Sequence, residues 1–238
     1  MQKLVILGGS NAFWEIYELI KDINLVSKKF EIIGVLDDNP ILHGVKYDNI
    51  KVNGSLDKAI DFDDDVMFVF AVGSYSSRLE RAVILKRLNI QKDRFVTLIH
   101  PSVKIFSNSI IKNGCIVHYG TVIFNHTVIN DFSVISANCV IASNNYLGKG
   151  SMFGSNVLTT RGVKIGAFCH IGSSTNISEN IEIEPGVQIG MGSLVLKDVK
   201  AGVFAFGNPL RMLDKIEVPQ TIIEEWNIEK NKLTNKTY

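Results

Sequence analysis

From Ile105 to Val195 a large apolar residue returns every six positions. The series runs Ile105, Ile111, Val117, Ile123, Ile129, Ile135, Ile141, Leu147, Phe153, Thr159, Ile165, Ile171, Ile177, Ile183, Ile189 and Val195. Only Thr159 departs in character, and no insertion shifts the phase. A mostly small residue follows four places later: Ser109, Cys115, Thr121, Thr127, Ser133, Cys139, Asn145, Ser151, Val157, Val163, Cys169 and Thr175. Glycine recurs just after the apolar position, at Gly148, Gly154, Gly166, Gly172 and Gly190. The strands of a sandwich would alternate with period two between irregular turns. A fixed hexad instead predicts a parallel β-helix over Val103 to about Val199. One apolar residue per hexad points inward, and the small one fits beside it. Glycine or a short polar residue turns the corner, where positive φ is cheap for glycine. Three hexads make a triangular coil, so residues eighteen apart stack. Coils repeat at roughly 4.8 Å, so about five of them reach on the order of 25 Å.

The 238 residues allow one large or two ordinary domains. A formal net charge of +1 gives no bulk attraction to nucleic acid. No apolar run approaches the roughly eighteen residues of a membrane span. The apolar run Leu4–Leu7 stops at Gly8, unlike a signal peptide, and a cytoplasmic protein is expected. Cys115, Cys139 and Cys169 all fall in the small inward position, where cysteine packs as a small apolar residue.

Ahead of the hexads, strand and helix patterns alternate. Lys3–Leu7, Glu31–Leu36, Val66–Val72 and Phe95–Ile99 read as strands. Asn11–Lys21 reads as a helix with Phe13, Ile16, Tyr17 and Ile20 inward and Ser10 or Asn11 as N-cap. Ser76–Leu88 reads as a second helix with Leu79, Val83 and Leu88 inward. That order implies a small Rossmann-like α/β domain with a parallel sheet. Ligands of such sheets sit at the carboxyl ends of the strands. Here those ends carry Gly8, Gly9, Ser10, Asp37, Asp38, Gly73 and Ser74. The loop lacks the full glycine pattern of a dinucleotide site. It fits a smaller nucleotide or nucleotide sugar, or a turn that only joins strand to helix. The domains are thus 1–98, an α/β domain; 99–213, the β-helix; and 214–238, a tail whose Pro219–Lys232 reads as a helix.

Chemistry on a β-helix must sit on its corners or faces. His170 precedes an inward isoleucine and should point out from a flat face. His118 and His126 fall on different corners, and no third histidine completes a metal site, so none is expected. His126 projects at an edge between Asn125 and Thr127. Ser143, Arg161, Glu179 and Lys197 stack in one column. Its cations suit phosphate groups, or the column is an ordinary solvated one.

Several motifs together resemble the bacterial sugar O-acyltransferase family, which includes sialic-acid O-acetyltransferases and nucleotide-4-amino-sugar N-acetyltransferases. They are Val5-Ile6-Leu7-Gly8-Gly9-Ser10, Leu36-Asp37-Asp38, Leu98-Ile99-His100-Pro101, the hexads, Asn125-His126, Asp131-Phe132 and Gly207-Asn208-Pro209. The resemblance implies a left-handed β-helix, a homotrimer, and acetyl-CoA in the cleft between neighbouring prisms. It implies that the first domain grips the nucleotide of an amino-sugar donor, through Gly8, Ser10, Asp37, Asp38 and Gly73, with Asn125 also at the substrate. The family base falls at His126, which takes a proton from the sugar amine or hydroxyl as it attacks the thioester. Ser155, Ser173 and Met191 match positions that line the cofactor through backbone, beside the column of Ser143, Arg161 and Lys197. Three departures stand out. Thr127 replaces an acid that follows the histidine, and Val134 replaces a second histidine eight residues on. Asn11-Ala12-Phe13 replaces the usual first loop. The expected activity is N-acetylation of a nucleotide-linked amino sugar of the 4-amino-4,6-dideoxy type for surface glycans. O-acetylation of a sialic-acid-type sugar, or a trimeric binding protein without catalysis, are the alternatives.

Overall fold

The computed structural model describes residues 1–10, 12–73 and 78–234, with residue 234 described in backbone only. Its first domain holds a three-stranded parallel sheet of β1 (Gln2–Leu7), β2 (Phe30–Leu36) and β3 (Met67–Phe70), in the order β2-β1-β3. Helix α1 (Ala12–Val26) buries Phe13, Ile16, Leu19, Ile20 and Ile23, an amphipathic stripe of the expected spacing. Asn11, one proposed N-cap, lies outside the described residues, as does Ser74.

Two expectations for this domain are corrected. Phe95–Ile99 is not a strand of its sheet. Phe95 makes a single bridge to Phe68, while Leu98–Ile99 pairs with Ile116–Val117 and so begins the β-helix. Along helix α2 (Glu80–Leu88) the expected Leu79 and Leu88 pack against core clusters, but Val83 does not. Val83 is 66% exposed, whereas Arg81 is 1% exposed. The reason is that α2 lies against a prism corner. There the Arg81 guanidinium donates to the carbonyls of Val72 and Phe132 and covers the Phe70 ring.

The hexads form a three-faced parallel β-helix of two-residue strands. The outward residues of the first face are Leu98, Ile116, Val134, Met152, His170 and Gln188. Those of the second are Lys104, Val122, Val140, Leu158, Asn176 and Leu194, and of the third Ile110, Val128, Tyr146, Lys164 and Glu182. Partners among these two-residue strands are eighteen residues apart, so their stacking register is the one read from the sequence. The inward apolar residues from Val117 to Val195 form one continuous core, with Thr159 the buried exception.

The corners differ in detail from expectation. Positive φ recurs at every sixth residue from Asn108 to Gly192, three places after the inward apolar residue. The glycines directly after that residue have another reason. A Cβ on Gly148 would lie 2.4 Å from the backbone carbon of Gly166 in the next coil. These glycines let two coils approach where a methyl group does not fit.

The small position is also a donor. Thr121, Thr127, Ser151 and Thr175 each donate a hydroxyl hydrogen bond to the carbonyl fifteen residues on, at 2.8–3.2 Å. The Cys115, Cys139 and Cys169 thiols do the same to Asn130, Gly154 and Glu184, at 3.0, 3.2 and 3.1 Å. Burial pushes these thiols up to about 12, 11 and 12, respectively. Since the thiolate is the reactive form, a disulfide reagent should label none of the three in the native protein and all three after denaturation. Stoichiometric labelling of the native protein would show that the core opens.

The three faces meet different surroundings. The first domain covers the first face: Ile116 and Val134 join the α1 core cluster. His170 therefore points outward as expected but is buried, 5% exposed; burial and then the nearby Arg78 push its pKa down to about 4. The third face is covered by α3 (Gln220–Thr234), whose Trp226 packs on Tyr146 and whose Lys230 pairs with Glu182 at 2.5 Å. The tail thus folds back on the prism. Val203–Phe206 closes the last coil by pairing with Gln188–Ile189, and Arg211–Lys215 pairs antiparallel to it, so the boundary near residue 213 falls inside a strand. The second face joins none of the described core clusters through its outward residues, and Leu158 on it is 36% exposed.

Candidate active site

A cleft runs between the carboxyl ends of the first domain's sheet and the first face of the prism. One part, a cavity of about 340 Å³, is lined by Ser10, Ala12, Gly73 and Arg81 from the first domain and by Ile116, His118, Val134 and Met152 from the prism, with Glu15 at its side. A second cavity of about 340 Å³ shares Glu15, His118 and Ser136 with it and continues past Asp22 and His100 to Ser155 and Ser173. The cleft therefore crosses the first face, from the corner that carries Phe132 to the corner that carries His118.

Of the residues expected at the nucleotide, Ser10 and Gly73 line this cleft. Gly8 sits at the end of β1 with φ +114°, and a Cβ there would lie 2.9 Å from the Ala71 carbonyl carbon. Asp37 and Asp38 are engaged elsewhere. Asp37 accepts from Gly9 N at 2.7 Å and Asn39 N at 2.8 Å, and Asp38 accepts from Leu56 N at 3.0 Å and pairs with Arg87 at 2.6 Å. Both carboxylates brace loops with the oxygens described. Phe13 is fully buried and stacks on Tyr47 at 4.4 Å, so the altered first loop fills its own interior with aromatic rings.

His126 lies on the corner between the second and third faces, half-buried, with φ 59°. Asn108, Asn144 and Asn180 in the same column have φ 61°, 61° and 58°. Its backbone is the ordinary one for that corner. Asn125 beside it accepts a hydrogen bond from Ser143 of the next coil at 2.7 Å. Arg161 and Lys197 continue that column, exposed, and no ion pair joins them to Glu179 among the described residues. Ser155, Ser173 and the 75%-exposed Met191 stand on the other corner, that of His118. The expected cofactor residues thus divide between the two corners that flank the open second face.

Thr127 has a physical explanation. The residue after a corner is the small inward one, and Thr127 is fully buried, donating to Ala142 O at 2.9 Å. Val134 lies on the first face and lines the cleft, where His118 supplies an imidazole nearby. Burial, and then His100, push the His118 pKa down, so that ring is neutral at pH 7. The sequence marks His118 only as a corner residue, and Arg81 and Glu15 carry no signal beyond their places in helical segments. Among the described residues no cluster of three or more His, Cys, Asp or Glu could hold a metal, and no helix is long and apolar enough to cross a membrane.

No protein-family model matches the chain. UDP-N-acetylbacillosamine N-acetyltransferase of Bacillus subtilis (strain 168) is 42% identical over 53 residues, a match that spans 22% of this chain and 23% of that protein. The acetyltransferase domain of PglB from Neisseria gonorrhoeae FA1090 superposes with TM-score 0.76 at 20% identity, over 90% of this chain and all of that one. PerB from Caulobacter crescentus, solved with CoA and GDP-perosamine, gives TM-score 0.77 at 20% identity, over 89% and 97%. In fold, the chain is an α/β domain followed by a left-handed parallel β-helix, the architecture of these two solved structures.

Proposed function

We propose that the protein is an acetyl-CoA-dependent N-acetyltransferase acting on the amino group of a nucleotide-linked amino sugar of the 4-amino-4,6-dideoxy type. It would work in the cytoplasm, as a homotrimer, in surface glycan synthesis. The observation that carries the reading is the division of the site around one open face. The nucleotide cleft opens at the corner of Ser155, Ser173 and Met191, while Asn125, His126, Ser143, Arg161 and Lys197 occupy the next corner. Two corners of one prism face apart. A second copy docked at the second face brings its His126 corner to the first copy's cleft, which is how a trimer would complete three sites. The relatives support this choice: PglB's domain was solved with acetyl coenzyme A, and PerB with CoA and GDP-perosamine.

In this reading the sugar amine attacks the thioester carbonyl while the His126 imidazole takes its proton. A corner N–H donates to the oxyanion of the tetrahedral intermediate. Collapse breaks the C–S bond, and the thiolate leaves as coenzyme A, taking a proton. A positioned base of this kind supplies ~10²–10⁴ in rate. The test is thiol release from acetyl-CoA with a panel of nucleotide-linked 4-amino sugars. Release with amines is expected. Release only with hydroxyl sugars would make the protein an O-acetyltransferase. Silence with every acceptor would leave a binding protein, the alternative that the Thr127 and Val134 departures raise.

A further inference from the structure

The cleft over the first face has opposite charge at its two ends. At one end stands Arg81, 1% exposed, on the wall of the cavity. Its Nη2 donates to Phe132 O at 2.9 Å and its Nη1 to Val72 O, but Nε finds no partner among the described residues. Burial pulls its pKa down to about 10, with no carboxylate acting against that burial. Two carbonyls and the Phe70 ring compensate a buried guanidinium only partly. A charge held on the wall of that cavity is placed to receive an anion, and a guanidinium suits phosphate oxygens.

The other end is acidic. Glu15, Glu18 and Asp22 lie along one side of α1, and no lysine or arginine lines that cavity. Lys21 pairs with Glu18 at 2.9 Å, and Asp22 meets His100 Nε2 at 3.3 Å. Ser102 N–H donates to His100 Nδ1 at 3.0 Å, so it is the Nε2 hydrogen that faces Asp22. That bond leaves the Asp22 charge in place. Glu15, which lines both cavities, has no ion pair among the described residues.

From this polarity we propose that the cleft selects a zwitterion, with a phosphoryl group at Arg81 and an ammonium group against Glu15 and Asp22. The inference rests on the N-acetyltransferase reading and sharpens it. A nucleotide-linked amino sugar carries both charges. Its acetylated product has lost the cation, so the same cleft would hold substrate more tightly than product. Ser155 and Ser173 line the acidic end, which puts the amine beside the corner expected to meet the cofactor.

Calorimetric titration of the full chain tests this with four probes: UDP, a UDP-linked 4-amino sugar, its N-acetylated form, and coenzyme A. Arg81→Met should weaken both UDP and the amino sugar about ten- to hundredfold and leave coenzyme A unchanged. A variant carrying Glu15→Gln and Asp22→Asn should keep UDP binding and lower the preference for amine over amide by about three- to tenfold. Arg81→Lys, which keeps the charge, should retain more UDP affinity than Arg81→Met. If Arg81→Met does not fold, the wild-type preference for amine over amide and the double variant still decide. Loss of coenzyme A binding in place of UDP binding would make Arg81 a cofactor contact and overturn the proposal. So would an unchanged UDP affinity in Arg81→Met, or an unchanged amine preference in the double variant. Selective binding of the amino sugar without acetyl transfer would sink the enzymatic reading and leave the cleft's selectivity intact.

Discussion

Replacing His126 with asparagine will lower acetyl transfer by ~10²–10⁴-fold and leave thermal stability nearly unchanged. The choice of asparagine follows from the corner. Every residue in this column turns at positive φ, and three of its members are already asparagine, at 58–61°. Asparagine tolerates that conformation better than most residues, so the backbone needs no adjustment. Alanine would remove the same imidazole but also the polar side chain that makes the left-handed region tolerable for histidine and asparagine, at up to about 1 kcal/mol. The two variants should therefore match in turnover and differ slightly in melting temperature. KM for the amino sugar should change little if the histidine acts only in the transition state. Near-full activity in both variants would move the base elsewhere, and His118, the neutral imidazole of the cleft, would be the next to replace.

How the hexads specify the prism was legible, and why is clear from particular residues. A period of six allows one register only, and Ile123, Ile141 and Ile177 all land at or below 1% exposure. The cysteines lie where their spacing puts them, although the sequence showed only their size and not their hydrogen bonds to the next coil. What each face meets was not legible. Ile116, Val134 and Met152 alternate like any half-exposed strand, and nothing local says that the first domain lies over them. Arg81 shows the same limit. In a helix its charge reads as solvent-facing, yet the approach of α2 to the Phe132 corner buries it and exposes Val83. Asp37 and Asp38 read as ligand groups because of their place after a strand, and loop amides and Arg87 take up oxygens of both. The corner of His126 was legible because stacking by eighteen is arithmetic. What lies opposite that corner depends on how prisms associate, which no single chain encodes in its spacing.

The same arithmetic sets the largest expected loss of stability. Gly148→Ala should cost about 3 kcal/mol, at the upper end of what forced overpacking usually costs. The added methyl would lie 2.4 Å from the Gly166 carbonyl carbon and 2.6 Å from Ala167 N. Both are backbone atoms of the next coil, and that coil is fixed in place by Gly148 N–H to Ile165 O at 2.7 Å and Tyr146 N–H to Val163 O at 2.9 Å. No side chain can move aside. Relief would have to come from spreading two coils, which strains ladders on either side. For a chain of this length the change corresponds to a fall in melting temperature of about 6–12 °C. Gly192→Ala separates this steric effect from backbone preference. Gly192 turns a corner at φ +67°, and a methyl group added there would have no neighbour within 4 Å. It should lose only the roughly 1–2 kcal/mol of left-handed strain. Equal losses in the two variants would mean that the coils yield more readily than their close spacing implies. A larger loss at Gly148 would show that contact between successive coils, rather than the turn conformation, demands glycine after the inward residue.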